Sequence, residues 1–321
     1  MKVQNAFEKL SEQKSFSAEL GFDGSADEIY AAMKNEDDFQ RSDAQMLAGL
    51  KVKFGAASDK PLKDAKDLTK DNGSIALALS NGTSDLFEFR SVDGKMYLRA
   101  DLKAMSALDT SSKNESSKEL DTMLKQADKL PSSLGSVKNV FQGKWVSFDP
   151  KSFTDFAKQS GMGGDDSPLP VPDTSSLDAK QQKQAIEAVK KALGENAEFK
   201  DAPTKDGVEH VTVTVEGRKA ATDLVNGLKP FPQFKKSLKD FKPSDVPNKK
   251  IAIDVSIKDG LLSGVSFDVA QLDTKAKGKL PVSIAIDGKA IPVTPPANAA
   301  ELKPQDLMSA VMFMAMGDAK I

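Results

Sequence analysis

Apolar and polar residues alternate most strictly at 251–257, where Ile251, Ile253, Val255 and Ile257 interleave with Ala252, Asp254 and Ser256. Successive side chains of a strand point to opposite faces, so this run predicts one apolar and one largely polar surface. Lys258, Asp259 and Gly260 supply a tight turn, after which Leu261, Val265, Phe267 and Val269 alternate with Ser266 and Asp268. Residues 250–270 therefore predict an antiparallel hairpin. Comparable runs occur at Phe16, Ala18, Leu20 and Phe22; Val52 and Phe54; Ile75, Leu77 and Leu79; 86–92; 95–100; 145–148; 197–201; Val211, Val213 and Val215; and Val282, Ile284 and Ile286. Together these make about eleven strands, punctuated by Asn72-Gly73, Asn81-Gly82, Asp93-Gly94 and Asp287-Gly288.

Three-and-four spacing of apolar residues predicts helices at 26–34, 43–50, 117–130, 178–193, 218–228 and 303–316. In the last of these, Leu307, Met308, Val311, Met312 and Met316 fall on roughly one face. Helices interspersed with antiparallel strands indicate an α+β fold. The Gly-, Pro-, Ser- and Asp-rich stretch 160–176 is the strongest boundary signal and offers a split into two domains. Six strands before it and five after it do not make two convincing closed sheets. One domain with long surface loops near 109–135 and 160–180 is the preferred reading.

Composition narrows the chemistry. The 321 residues are 39% hydrophobic but only 6% aromatic, and 45 basic against 47 acidic residues leave a formal charge of -2. That excludes a global field for nucleic acid or an anionic membrane. With no cysteine and a single histidine, most thiolate, zinc and Ser-His-Asp chemistry is removed. His210 projects with Thr212 and Thr214 from the polar face of its strand, which reads as a hydrogen-bonded residue rather than a base. Neither a G-x-S-x-G, a P-loop nor an H-E-x-x-H is present. Gly161, Gly163 and Gly164 lack the following Lys-Ser/Thr of a phosphate cradle, and the pairs Asp37-Asp38 and Asp165-Asp166 lack the spacing of a calcium loop. The expectation is no enzyme, no cofactor and no metal. Lys235, Lys236, Lys239 and Lys242, with Phe231, Phe234 and Phe241 among them, suggest an exposed basic side or a membrane-facing edge rather than a nucleic-acid module. No run reaches the roughly 18 apolar residues of a membrane span.

The succession VQNAFEKLSEQKSFSAELGFDGS, DLFEFRSVDGKMYLRADLKAMSAL, GKWVSFDPKSF, GVEHVTVTV, IAIDVSIKDGLLSGVSFDVAQL and LPVSIAIDGKAIPVTPPANA resembles exported actinobacterial lipoproteins of LolA-like fold. These are similar in architecture to mycobacterial lipid-carrier lipoproteins and to the Gram-negative carrier LolA. The resemblance implies a strongly curved antiparallel sheet, a half-barrel, with helices over its concave apolar face and a cavity for acyl chains. It implies a membrane-anchored lipoprotein on the outer side of the cell membrane, with a signal peptide and a lipidated cysteine ahead of the first residue. Lipid or acylated-ligand transport is the implied function, and an envelope sensor that binds a protein partner is the alternative. On this reading Phe16, Leu20, Phe87, Phe89, Val255, Val265, Phe267, Ile284, Met308 and Met312 line the apolar site. One 16-carbon chain, at about 0.8 kcal/mol per buried methylene, gains on the order of 12 kcal/mol before entropic costs. Binding of that kind needs no covalent chemistry.

Overall fold

The computed structural model describes residues 2–34, 39–65, 68, 73–106, 115–159, 197–231, 238, 239, 241–272, 278–288 and 293–318. The predicted helix at 178–193, the boundary and loop at 160–180, the glycines at 161–164 and both Asp-Asp pairs lie outside these residues. So do Phe234, Lys235 and Lys236.

Two compact units emerge, one formed by Met1–Leu50, Lys60–Asp67 and Ser175–Ala290, the other by Lys51–Asp59, Leu68–Thr174 and Ile291–Ile321. The first carries strands β1 (Ser15–Phe22), β7 (Glu198–Lys205), β8 (Val208–Glu216), β9 (Lys250–Lys258), β10 (Leu261–Asp268) and β11 (Pro281–Asp287). They are ordered β1-β11-β10-β9-β8-β7, with every neighbouring pair antiparallel. The second carries β2 (Lys51–Ala57), β3 (Ser74–Ser80), β4 (Asp85–Val92), β5 (Lys95–Ala100), β6 (Val146–Phe148) and β12 (Ala300–Glu301). Their order is β12-β6-β5-β4-β3-β2. The α+β class stands, and all eleven predicted strands are present. The twelfth, β12, pairs in parallel with β6, so the sheet is mixed rather than wholly antiparallel. A two-residue strand carries no alternation by which to find it.

Turn chemistry explains the tight hairpins. Asp93-Gly94, Asp206-Gly207 and Asp259-Gly260 each place two successive residues at positive φ, between 50° and 76°. That is the backbone twist a two-residue hairpin needs, and Asp and Gly tolerate it best. Between β3 and β4 the Asn81 side-chain oxygen instead accepts from the backbone N–H groups of Thr83 and Ser84 at 3.1 and 2.8 Å.

Helices cover the apolar side of each sheet. In the first unit α1 (Lys2–Ser11) packs Ala6, with Val3 and Leu10 beside it, into a core of Val211, Val213, Val215, Ile251, Val255, Ile257 and Leu262. The α2 (Ala26–Met33) and α3 (Arg41–Gly49) pair forms a smaller core with Ile29, Ala32, Ala44 and Leu280. Ser25 starts α2 with a reciprocal cap, its hydroxyl accepting from the Glu28 N–H while the Glu28 carboxylate accepts from the Ser25 N–H. The second unit contributes α4 (Leu102–Ser106), α5 (Glu115–Asp128), α6 (Gly135–Phe141) and α7 (Pro150–Gln159). Helix α8 (Gly217–Leu228) returns to the first unit, and α9 (Pro304–Asp318) closes the second.

The helix predicted at 117–130 is present as α5, Glu115–Asp128, and Ala127, Leu130 and Leu134 are buried with Val137, Val146 and Phe153. These apolar residues have a core to join, and the segment supplies part of its wall.

Candidate functional site

Strand register assembles the predicted site residues into rows. In the first unit Leu20 faces Ile284, Ile284 faces Val265, Val265 faces Val255, and Val255 faces Val211 across five consecutive strands. The next row runs Phe22, Val282, Phe267, Ile253, Val213 and Phe199. Leu20, Val255, Val265, Phe267 and Ile284 therefore share one face, and Phe16 joins them by strand parity. In the second unit one row reads Phe54, Leu77, Phe89, Leu98 and Val146, and its neighbour reads Val52, Leu79, Phe87 and Ala100. Phe87 and Phe89 belong to this second apolar face.

Coverage along these rows is uneven. Val255 is only 5% exposed, locked under the α1 core, whereas Leu20 on the same row is 39% exposed. Phe16, Val265, Phe267 and Ile284 are half-buried. The second face behaves alike: Leu77 is 37% exposed between half-buried Phe54 and Phe89, while Val146 is sealed under Val137 and Ala310. Val255 thus belongs to the packed core around Ala6, Val211 and Leu262. Leu20, Phe267, Ile284, Phe87 and Phe89 keep accessible apolar surface.

Met308 and Met312 are separated from that pattern. On α9 the packed side is Leu307, Ala310 and Met314, so the single stripe expected from the sequence is split. Met312 is 57% exposed, with Val311 and Phe313 also outward, and Met308 is half-buried. From 307 to 317 the helix carries no charged residue, and spacing alone cannot orient a helix that is apolar on every side.

The opposite faces are polar. In the first unit His210, Thr212 and Thr214 stand opposite Ser256, Asp254 and Ala252. His210 Nδ1 lies 2.8 Å from Asp254 Oδ2, with Ser256 Oγ 3.4 Å from the same nitrogen. Both partners converge on one ring nitrogen, so the trio is a hydrogen-bonded surface cluster and not a relay through both nitrogens. A shallow hollow of about 300 Å³ on this unit is lined by Glu198, Thr214, Val215, Glu216, Lys219 and Lys250. Lys250 pairs with Glu198 there, which raises the lysine pKa, and this charged lining does not suit an acyl chain. At the edge of the apolar face Lys2 of α1 bonds Glu209 at 3.1 Å and Asp201 at 3.3 Å, and these bonds, Glu209 first, raise its pKa.

In the second unit the polar face carries Arg90, Arg99 and Trp145, a group the sequence reading did not single out. The guanidinium carbons lie 4.7 and 5.6 Å from the Trp145 ring centre. Glu88 pairs with both arginines, Asp85 accepts from Arg99 at 3.0 Å, and Arg90 Nη1 donates to the Thr294 carbonyl at 3.1 Å. The signal open to the sequence was the outward parity of Glu88 and Arg90 on one strand and Arg99 on the next. Among the described residues no group of acidic or histidine side chains has the makings of a metal site, and no helix is long and apolar enough to cross a membrane.

No family model and no curated protein matches the chain. Among solved structures, the Mycobacterium tuberculosis lipoprotein LppX aligns over 91% of this chain and 95% of its own, at 9% identity and a TM-score of 0.32. LprF from Mycobacterium bovis aligns over 93% of this chain and 96% of its own, at 13% identity and the same score. Neither alignment fixes a correspondence between individual side chains.

Proposed function

We propose that the protein is a non-enzymatic binder or carrier of a lipid or acylated ligand, held against the apolar faces of its strands. The observation that carries this reading is the continuation of apolar rows beyond their helical cover, from sealed Val255 to exposed Leu20 and from sealed Val146 to exposed Leu77. Apolar surface left open in this way gains free energy from any chain that shields it from water. Leu20, Phe267 and Ile284 in one unit, with Phe87 and Phe89 in the other, are the proposed contacts. Met312 and Met308 add flexible, polarisable surface on α9, suited to chains of varied shape. Export and anchoring as a cell-envelope lipoprotein belong to the same proposal and rest on the sequence resemblance.

The test is mass spectrometry of an organic extract from protein purified without detergent out of a lipid-rich actinobacterial host, with Phe267→Asp as the comparison. Stoichiometric acylated lipid, lost in a variant that keeps its circular-dichroism spectrum, is the expected result. A clean extract from the unsubstituted protein overturns the proposal.

A further inference from the structure

Residues 229–250 lead from α8 into β9 and carry seven lysines against two aspartates, Asp240 and Asp245, in a chain whose total charge is -2. The loop that precedes β9 is held firmly to the first unit. Val246 is 9% exposed and joins the core around Val211 and Ile251, while Arg218 at the start of α8 donates to the carbonyls of Val246 and Ser244, both at 3.0 Å. The Gly217 N–H donates to the Lys249 carbonyl at 3.0 Å, and a Cβ at Gly217 would stand 3.3 Å from the Pro247 carbonyl oxygen, so the lack of a side chain there lets loop and helix close up.

What this frame presents to solvent is basic and apolar at once. Phe241 is 44% exposed, and Lys239 and Lys242 on either side of it are exposed too. Lys229 at the C-terminal end of α8 and Lys249 at its N-terminal end are also exposed. Among the described residues none of these four ammonium groups has a hydrogen bond or an ion pair, whereas Lys2, Lys63 and Lys250 each have a carboxylate partner. Asp245 is the one described carboxylate of the stretch, and it accepts from the Ser244 hydroxyl at 3.3 Å. The positive charge is therefore uncompensated, and a large ring stands within it. A soluble polyanion would satisfy the lysines and leave the ring in water. An anionic bilayer answers both, because its phosphates meet the ammonium groups at the level where an apolar ring reaches the acyl boundary.

We propose that the surface formed by Lys239, Phe241 and Lys242 docks the first unit on an anionic lipid bilayer. It uses residues outside the apolar strand rows and does not depend on those rows holding a lipid.

The test is co-sedimentation of the full chain with phosphatidylcholine vesicles that contain or lack phosphatidylglycerol. It is run at about 0.1 M and about 0.5 M salt, between which the screening length falls from about 10 Å to about 4 Å. Binding to the anionic vesicles alone, weakened at high salt, is expected. One lysine near an anionic surface is worth about fivefold in partitioning, so the double variant Lys239→Gln/Lys242→Gln should weaken binding about tenfold or more. Phe241→Ser, which removes only the ring, should weaken it about threefold. Lys95→Gln/Lys103→Gln removes the same charge from exposed positions of the second unit and should bind as the unsubstituted protein does. Thermal melts establish that each variant is folded. The proposal is overturned by no binding, by equal binding to neutral and anionic vesicles, or by equal losses in the two lysine variants. Vesicle binding by a protein whose organic extract holds no lipid leaves this surface standing and removes only the carrier reading, and lipid in the extract without vesicle binding does the reverse.

Discussion

Leu20 and Val255 occupy one cross-strand row of the first unit, joined through Ile284 and Val265, yet Leu20 is 39% exposed and Val255 is 5% exposed. The row is continuous in side-chain character and discontinuous in cover, because α1 packs over β10 and β9, where Val255 joins its core. Open apolar surface and core packing therefore separate along a line of residues that look equivalent in the sequence.

That separation predicts opposite outcomes for the same substitution. Val255→Asp buries a carboxylate among Val211, Ile257 and Leu262 and is expected to cost more than about 4 kcal/mol, enough to unfold the unit. Leu20→Asp places the charge at an accessible position, is expected to cost under about 1.5 kcal/mol, and should abolish lipid retention. Thermal denaturation checks the first pair of values, and mass spectrometry of the extract checks the last.

Glu88 is the pivot of the polar cluster in the second unit, largely buried and paired with both arginines. Glu88→Gln leaves two part-buried guanidinium groups without their shared counter-charge and is expected to destabilise the protein by about 1–3 kcal/mol. It should also loosen both arginines from Trp145 and change the emission of that residue. Urea unfolding followed by tryptophan fluorescence reads both effects, and a variant with native midpoint and native emission would show that Glu88 organises nothing.

A third expectation concerns pH. Glu28 is held below its ordinary value of 4.5, first by the backbone hydrogen bond from Ser25 and then by the Ser25 hydroxyl. A carboxylate whose folded pKa is depressed contributes stability above its unfolded pKa and loses it as pH falls through the folded value. The stability gap between the unsubstituted protein and Glu28→Gln should therefore be present at neutral pH and close on acidification below the ordinary carboxylate range. Thermal melts of both proteins from pH 7 downward measure it, and a gap that widens toward acid would refute the assignment.

Much of the sheet was legible because alternation is a local property. A strand's pleat sends odd and even residues to opposite sides whatever its neighbours are, so Ile251 to Ile257 declared two faces before any partner was known. The polar placement of His210, Thr212 and Thr214 followed from the same parity. Contact order decided what stayed hidden. Ala300 and Glu301 are a strand only because Val146 and Ser147 lie alongside, and Trp145 acquires its arginines only through the pairing of β4 with β5 and β5 with β6. The helix at 117–130 was legible from its spacing, but the burial of Ala127, Leu130 and Leu134 against Val137, Val146 and Phe153 was decided by the tertiary core.

The sequence by itself determined the α+β class, eleven of the strands and their two-sided character, the Asp93-Gly94 and Asp259-Gly260 hairpins, and the lack of residues for thiolate chemistry. Tertiary structure alone decided which apolar residues in each row are sealed and which stay open, which side of α9 packs, and which charges meet across the polar faces. The physical reason is one of range. Side-chain parity and turn conformation are fixed by neighbours along the chain, whereas cover depends on where helices distant in sequence come to rest on the sheet.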